Sequence, residues 1–148
     1  MVDATDRRLI DAMLADGRAS LREIGERSDV SPTTVSARLE GLESVVGSVV
    51  PLIDYEQLGY ETAIVRLRVD GPSREGVLDR LDERPELTSV YAVTGPTDVI
   101  AIGSFENREA LDDTHREILA LDGVRDVEVA VVRSVAASFE QFPVADRA

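Results

Sequence analysis

The sequence predicts an α+β protein in two parts. Two observations carry that prediction: a pair of helix-start signals packed into Ser20 to Glu43, and an alternation of strand and helix patterns beyond residue 60. The first part has the spacing of a helix-turn-helix. The second has the order βαββαβ, which is the ferredoxin-like split motif.

In the first part, Asp3 or Thr5 can cap a helix running to about Ala15, with Leu9, Ile10, Met13 and Leu14 as its buried stripe and Asp16-Gly17 as its stop. Ser20 stands three residues before Glu23, so each side chain can satisfy the other's backbone N–H, and Leu21 and Ile24 then share one face. Ser31 followed by Pro32 is an N-cap ahead of a residue with no N–H to leave unpaired. Val35, Leu39 and Leu42 continue from it at helical spacing. Only Ser28, Asp29 and Val30 separate these two helices, and so short a turn crosses them steeply, leaving the second free to enter a groove. Its outer face carries Thr33, Thr34, Ser36 and Arg38, with Ser31 at its start. Hydroxyls donate or accept, and guanidinium pairs bidentately with guanine, so this face suits phosphate and base-edge contacts. A solvated helical hairpin would show the same periodicity.

Val45-Val46-Gly47-Ser48-Val49-Val50 reads either as two very short β runs around a Gly-Ser turn, a small wing, or as a bare linker. The expected organisation is a DNA-binding domain over 1–50, a linker over 51–60 and a second domain over 61–148. There, Ala63, Val65, Leu67 and Val69 alternate with Ile64, Arg66 and Arg68 as in a half-buried strand. Ser73 can cap a helix burying Val77, Leu78 and Leu81 before Pro85. Leu87 to Val93 and Val99 to Phe105 are strands joined by Thr94-Gly95-Pro96-Thr97-Asp98. Asn107 can cap a helix with Leu111, Ile118 and Leu119 inward, and Val127 to Val132 is the last strand. The run Val99-Ile100-Ala101-Ile102 does not alternate, and Val129, Val131 and Val132 leave apolar groups on both sides of the last strand, so the helix-free face is expected to be covered too. The expected cover is a second copy, a two-fold dimer offering two recognition helices to a palindromic site.

The formal charge is −13, with 16 basic residues against 29 acids, and every basic residue is arginine. Residues 1–50 carry 6 arginines and 9 acids, net −3; residues 51–148 carry 10 arginines and 20 acids, net −10. Acidity spread along the whole chain, with no lysine, points to a salt-filled cytosol, where the Debye length is about 3 Å at molar salt and carboxylate repulsion is screened. The absence of cysteine excludes disulfide and thiol chemistry. No apolar run approaches membrane-spanning length, and the start of the chain is acidic, so a soluble cytoplasmic protein is expected.

Taken in order, Asp6-Arg7-Arg8-Leu9-Ile10, Ser31-Pro32-Thr33-Thr34-Val35 through Leu42-Glu43, Leu58-Gly59-Tyr60, and Thr94-Gly95 with Asp98 resemble the Lrp/AsnC family, the leucine-responsive or feast/famine regulators. The resemblance implies a transcription regulator with a winged helix-turn-helix ahead of a ligand-sensing βαββαβ (RAM) domain. It further implies dimers that assemble into octamers in many relatives, and a small-molecule effector, usually an amino acid, bound between dimers near the second β-hairpin. On that basis Arg38 falls on a recognition-helix arginine. Thr94, Gly95, Thr97 and Asp98 fall at the effector site, where Gly95 would let a ligand carboxylate reach backbone N–H groups and Asp98 would pair with the α-amino group. Ala37, Glu40 and Gly41 depart from the basic residues of many relatives, Asp29 replaces a turn glycine, and Thr97 stands where an aromatic is common.

Two alternatives come from other classes. A small enzymatic branch resembling the same fold decarboxylates siroheme derivatives with a histidine near the tetrapyrrole; the one histidine here, His115, reads as a partly exposed helix residue. There is no phosphate loop, metal cluster or nucleophile–base pair, and no cofactor is expected. The other alternative is a sensor or interaction module without DNA binding. The composition itself yields a test: the melting temperature should rise between millimolar and molar potassium chloride, and a flat profile would refute salt adaptation.

Overall fold

The computed structural model describes residues 1–137 and 142–145. The chain forms two compact units. One is residues 1–52, joined by the described part of the C-terminal segment; the other is residues 53–136.

The N-terminal unit is helical: α1 (Ala4–Ala15), α2 (Leu21–Ser28) and α3 (Pro32–Glu40). Each begins where local chemistry predicts. Asp3 and Asp6 form a reciprocal capping box on α1, Ser20 and Glu23 form one on α2, and Ser31 accepts the Thr34 N–H at the start of α3. Asp29 ends α2 in the left-handed conformation at φ 57°. The turn then folds back so closely that a Cβ on Gly25 would lie 2.5 Å from the Val30 carbonyl oxygen, so glycine is required there. Leu9, Ala12, Ile24 and Val35 make the buried core, with Met13 and Leu39 packed against it. Leu21, expected beside Ile24, is 43% exposed; at the first residue of α2 it lies outside that cluster.

No strand forms over residues 41–60, so of the two readings the wing is not formed: residues 41–45 and 55–59 are turns, with no regular structure between them. The N–H groups of Val45 and Val46 both donate to the Leu42 carbonyl, each at 2.8 Å, continuing the turn after α3 instead of pairing across a hairpin. Strands of two residues, with no second apolar surface to cover Val45, Val49 and Val50, would bury too little to hold.

The second unit contains β1 (Glu61–Val69), a 3₁₀ turn at Gly71–Ser73, α4 (Arg74–Asp82), β2 (Leu87–Ala92), β3 (Val99–Phe105), α5 (Arg108–Leu119) and β4 (Val124–Val131). The four strands form one antiparallel sheet in the order β2-β3-β1-β4. The core lies between one sheet face and the two helices, where Val65, Leu67, Val77, Leu81, Ala101 and Ile118 are buried together. Phe105, Ala63 and Leu111 extend it toward the other end of β3. Ser73 makes no side-chain cap: the 3₁₀ turn leaves it in the right-handed helical region, one step too far round to reach the first N–H groups of α4.

The helix-free face corrects one expectation. Val127, Val129 and Val131 pair with Leu67, Val65 and Ala63 and so lie on the helix side; the residues between them, Asp126, Glu128 and Ala130, face away. The open face is therefore half polar, with Arg66–Glu128 and Arg68–Asp126 ion pairs at 3.2 and 3.3 Å, and half apolar, with Ile64, Ile100, Ile102 and the exposed Tyr91. No helix among the described residues is long and apolar enough to cross a membrane.

Gly123, with φ +82°, turns α5 into β4, and its carbonyl accepts the Asp70 N–H at 2.9 Å. A Cβ there would collide with Ser73. Gly123→Ala should therefore destabilise this unit by about 2 kcal/mol or more through combined left-handed strain and overlap, read by chemical denaturation.

Candidate nucleic-acid interface and effector loop

Val35 is fully buried and Leu39 partly so, which fixes the rotation of α3 about its axis. Thr33, Ala37 and Glu40 are then exposed at i, i+4 and i+7, with Ser36 half-buried beside them. Of the five residues expected to meet DNA, Thr33 and Ser36 have hydroxyls that make no hydrogen bond among the described residues. Ser31 and Thr34 are engaged with each other: their hydroxyl oxygens are 2.8 Å apart, and the Thr34 N–H donates to Ser31 Oγ at 3.2 Å.

Arg38 does not point freely outward. Its Nη1 donates to Asp3 Oδ2 at 2.6 Å and to Asp6 Oδ1 at 2.9 Å, bracing α3 against the capping box of α1. Asp6 is only 8% exposed, so this guanidinium also neutralises a buried carboxylate. The hydrogen bond from Arg38, with help from the Asp6 N–H, lowers the Asp3 pKa to about 2. The same bonds raise that of Arg38. The expected base-reading arginine thus has a structural partner pair, and one guanidinium against two carboxylates leaves the site net negative. The D-x-x-D spacing of Asp3 and Asp6 marks a helix start, and nothing local discloses that its second use is to receive an arginine over thirty residues away. The outer face of α3 consequently offers hydroxyls and one acid. Arg7, Arg8 and Arg18 are exposed and form no ion pair among the described residues of the unit, Arg7 donating instead to the Val144 carbonyl at 3.1 Å.

The loop joining β2 to β3 has Thr94, Gly95 and Pro96 exposed and Thr97 half-buried. Gly95 sits at φ +110° with open space where a side chain would go. The N–H groups of Thr94, Gly95 and Thr97 meet no protein acceptor among the described residues. Asp98, expected to be free for an α-amino group, is occupied: Oδ2 accepts the Val69 N–H at 2.9 Å and Oδ1 accepts Arg74 Nη2 at 3.1 Å. Its own N–H donates to the Leu67 carbonyl, so Asp98 ties the loop to the end of β1. His115, mid-helix in α5, is half-buried with Nε2 3.3 Å from the Val127 carbonyl oxygen. No group of three or more His, Asp or Glu side chains is placed to hold a metal ion among the described residues.

Residues 2–43 match the AsnC-type helix-turn-helix domain, and residues 62–139 match the Lrp/AsnC ligand binding domain. An uncharacterized HTH-type transcriptional regulator of Pyrococcus horikoshii is 32% identical over 137 residues, covering 90% of this chain and 93% of that protein. Among solved structures, the leucine response regulatory protein of Mycobacterium tuberculosis is 27% identical with a TM-score of 0.86, covering 96% of this chain and 99% of that one. The feast or famine regulatory protein of the same organism, complexed with L-methionine, is 28% identical with a TM-score of 0.87, covering 97% and 100%.

The depressed pKa of Asp3 fixes a sign. A carboxylate whose folded pKa lies below its ordinary value near 3.8 contributes stability above that value and loses it as pH falls toward about 2. Denaturation of the N-terminal helices should therefore become easier between about pH 4 and pH 2, and Asp3→Asn should flatten that step. Arg38→Ala should lower the stability of these helices at neutral pH, because it strands Asp6. An Arg38→Ala variant as stable as wild type, with an unchanged acid limb, would show the brace to be idle.

Proposed function

This chain belongs to the Lrp/AsnC family of transcription regulators, and we propose that it binds a specific operator through α3 and alters its binding or assembly when an amino acid occupies the β2–β3 loop. The observation that carries this reading is the match of both domains of the family, in order, over nearly the whole chain. Thr33 and Ser36 are the base-edge or phosphate contacts, Ser31 and Thr34 hold the first turn of α3, and Arg38 is a positioning residue whose brace sets the angle at which α3 meets DNA. The apolar half of the open sheet face, Ile64, Ile100, Ile102 and Tyr91, supports a homodimer, and a two-fold dimer reads a palindromic double-stranded site. Such a regulator works in the cytoplasm.

At the loop, the N–H groups of Thr94, Gly95 and Thr97, which meet no acceptor among the described residues, are available donors for an effector carboxylate. Asp98 supports them by anchoring the loop, and the α-amino group must find its acceptor elsewhere. L-Methionine in the mycobacterial relative supports an amino acid as the class of effector. The matched relatives are regulators, which favours this reading over tetrapyrrole decarboxylation at His115. A sensor without DNA binding is the second reading, favoured by one observation: α3 presents Glu40 and no unneutralised cation.

Mobility shifts in molar potassium chloride with DNA from upstream of the chain's own gene decide between them. Retardation is expected, with Thr33→Ala or Ser36→Ala weakening it about five- to tenfold, the value of one net hydrogen bond of about 1–1.5 kcal/mol. No retardation at any salt concentration would favour the sensor. A panel of amino acids at millimolar concentration should contain one that raises the melting temperature of the wild type and less so that of Asp98→Ala. A panel without a shift in melting or DNA binding would count against an amino-acid effector.

A further inference from the structure

The sensor unit contains a cavity of about 420 Å³ at the far end of β3 from the effector loop, roughly 20 Å along the strand. Tyr55 and Tyr60, from the segment preceding β1, form one wall, with ring centroids 5.9 Å apart and planes at 75°. Phe105, 2% exposed, and Thr114 close the inner end, and Glu86 and Glu106 supply its charge. We propose that this cavity is a second ligand site that binds a small organic cation, a primary ammonium on an aliphatic body.

The charge balance is the first ground. Glu86 Oε1 accepts from Arg84 Nη1 at 2.8 Å and from Thr114 Oγ1 at 3.1 Å, while Oε2 makes no hydrogen bond among the described residues. Arg84 is held a second time, by Glu117 at 2.6 Å, and Glu106 pairs with no cation among the described residues. The cavity's own carboxylates are Glu86 and Glu106, and the one guanidinium near them, Arg84, is shared with Glu117 outside the lining, so the walls stay net negative. Burial works against charge at Glu86, but its own backbone N–H, Arg84 and Thr114 outweigh that and hold its pKa below the usual carboxylate range, so the charge persists at neutral pH.

The rings are the second ground. An edge-to-face pair directs one ring's edge at its neighbour and leaves aromatic faces open, and such faces attract an ammonium or its adjoining methylenes. Phe105 and Pro85 offer apolar surface for the rest of the molecule. A ligand carrying a carboxylate would meet repulsion from Glu86 and Glu106, so this site and the effector loop, with its N–H donors, select opposite charges.

Putrescine is the probe, and the chain supplies its own reporter: it has three tyrosines and no tryptophan, and two of those tyrosines line the cavity. Titrated into the full chain at constant ionic strength made up with potassium chloride, putrescine should change tyrosine emission saturably and raise the melting temperature. Tyr91→Phe should respond as wild type, and Glu106→Gln should bind at least about threefold more weakly. The uncharged analogue 1,4-butanediol should give no response. The proposal is overturned if putrescine produces no saturable change, if potassium chloride or butanediol produces the same change, or if Glu106→Gln and Glu86→Gln, each folded by its own melting curve, both titrate as wild type. The amino-acid panel run in parallel reads the effector loop independently, so either site can fail without the other.

Discussion

Sixteen guanidiniums must serve twenty-nine carboxylates in this chain, with no lysine to share the task, and that shortage shapes both candidate sites. Arg38 is drawn to Asp3 and Asp6, Arg74 to Asp98, and Arg84 to Glu86 and Glu117. Each pair holds together elements far apart in sequence: α3 to α1, the effector loop to the start of α4, and the entrance of β2 to α5. Exposed ion pairs contribute little, but Arg38 and Arg84 are partly shielded and each meets two acids, so removing either cation would leave carboxylates with reduced access to water. Arginine suits this work better than lysine because its planar fork carries five donors and can serve two acids at once.

What was legible in the sequence is what depends on neighbours within a helical turn or on strict alternation. The caps at Asp3, Ser20, Ser31 and Asn107, the turn at Asp29, the inward set of β1 and the βαββαβ order all follow from local rules, and the folded chain keeps them. The assignments that changed depend on tertiary placement. Arg38 looked exposed from helical spacing alone, because its partners lie over thirty residues upstream. Asp98 looked available because the residue that takes its second oxygen, Arg74, lies beyond β1. The last strand looked apolar on both sides because Val131 and Val132 are adjacent; pairing aligns Val127, Val129 and Val131 with the helix face and leaves Asp126, Glu128 and Ala130 between them, while the Val132 N–H still donates to the Thr62 carbonyl just past the end of β4.

These changes bear on how the proposed recognition would work. With Asp98 committed to Val69 and Arg74, the effector loop presents backbone donors on a firm support instead of a side-chain acceptor. Backbone N–H groups can fix a carboxylate without reading a side chain, so if an amino acid binds as proposed, discrimination among amino acids would come from whatever surrounds the loop. Gly95 keeps that approach open, and Pro96 stiffens the loop while removing one donor. The proposed cation cavity at the other end of β3 reverses the polarity, with carboxylates and aromatic faces, so a ligand carrying an ammonium and no carboxylate would favour that end of the sheet over the loop.

The same shortage of free cations bears on DNA. Each phosphate neutralised by a protein cation adds roughly 0.9 to the steepness with which affinity falls against salt, and a protein with few such contacts has little to lose as salt rises. Among the described residues the N-terminal unit keeps Arg7, Arg8 and Arg18 outside ion pairs and commits Arg38 to its own fold. A regulator built in this way gains little non-specific attraction to DNA at low salt, and under the proposed reading its discrimination would rest on hydroxyl contacts, on the fit of α3 in the groove and on the doubling of both in a two-fold dimer. Rigidity of α3 then matters more than its charge, since a small tilt would misplace short side chains such as Thr33 and Ser36 that cannot reach to compensate. Arg38, which holds α3 against the capping box of α1, would serve that end, and if the proposed DNA reading takes place in high salt, where long-range steering is screened within a few ångströms, the brace would do more for recognition than one more phosphate contact.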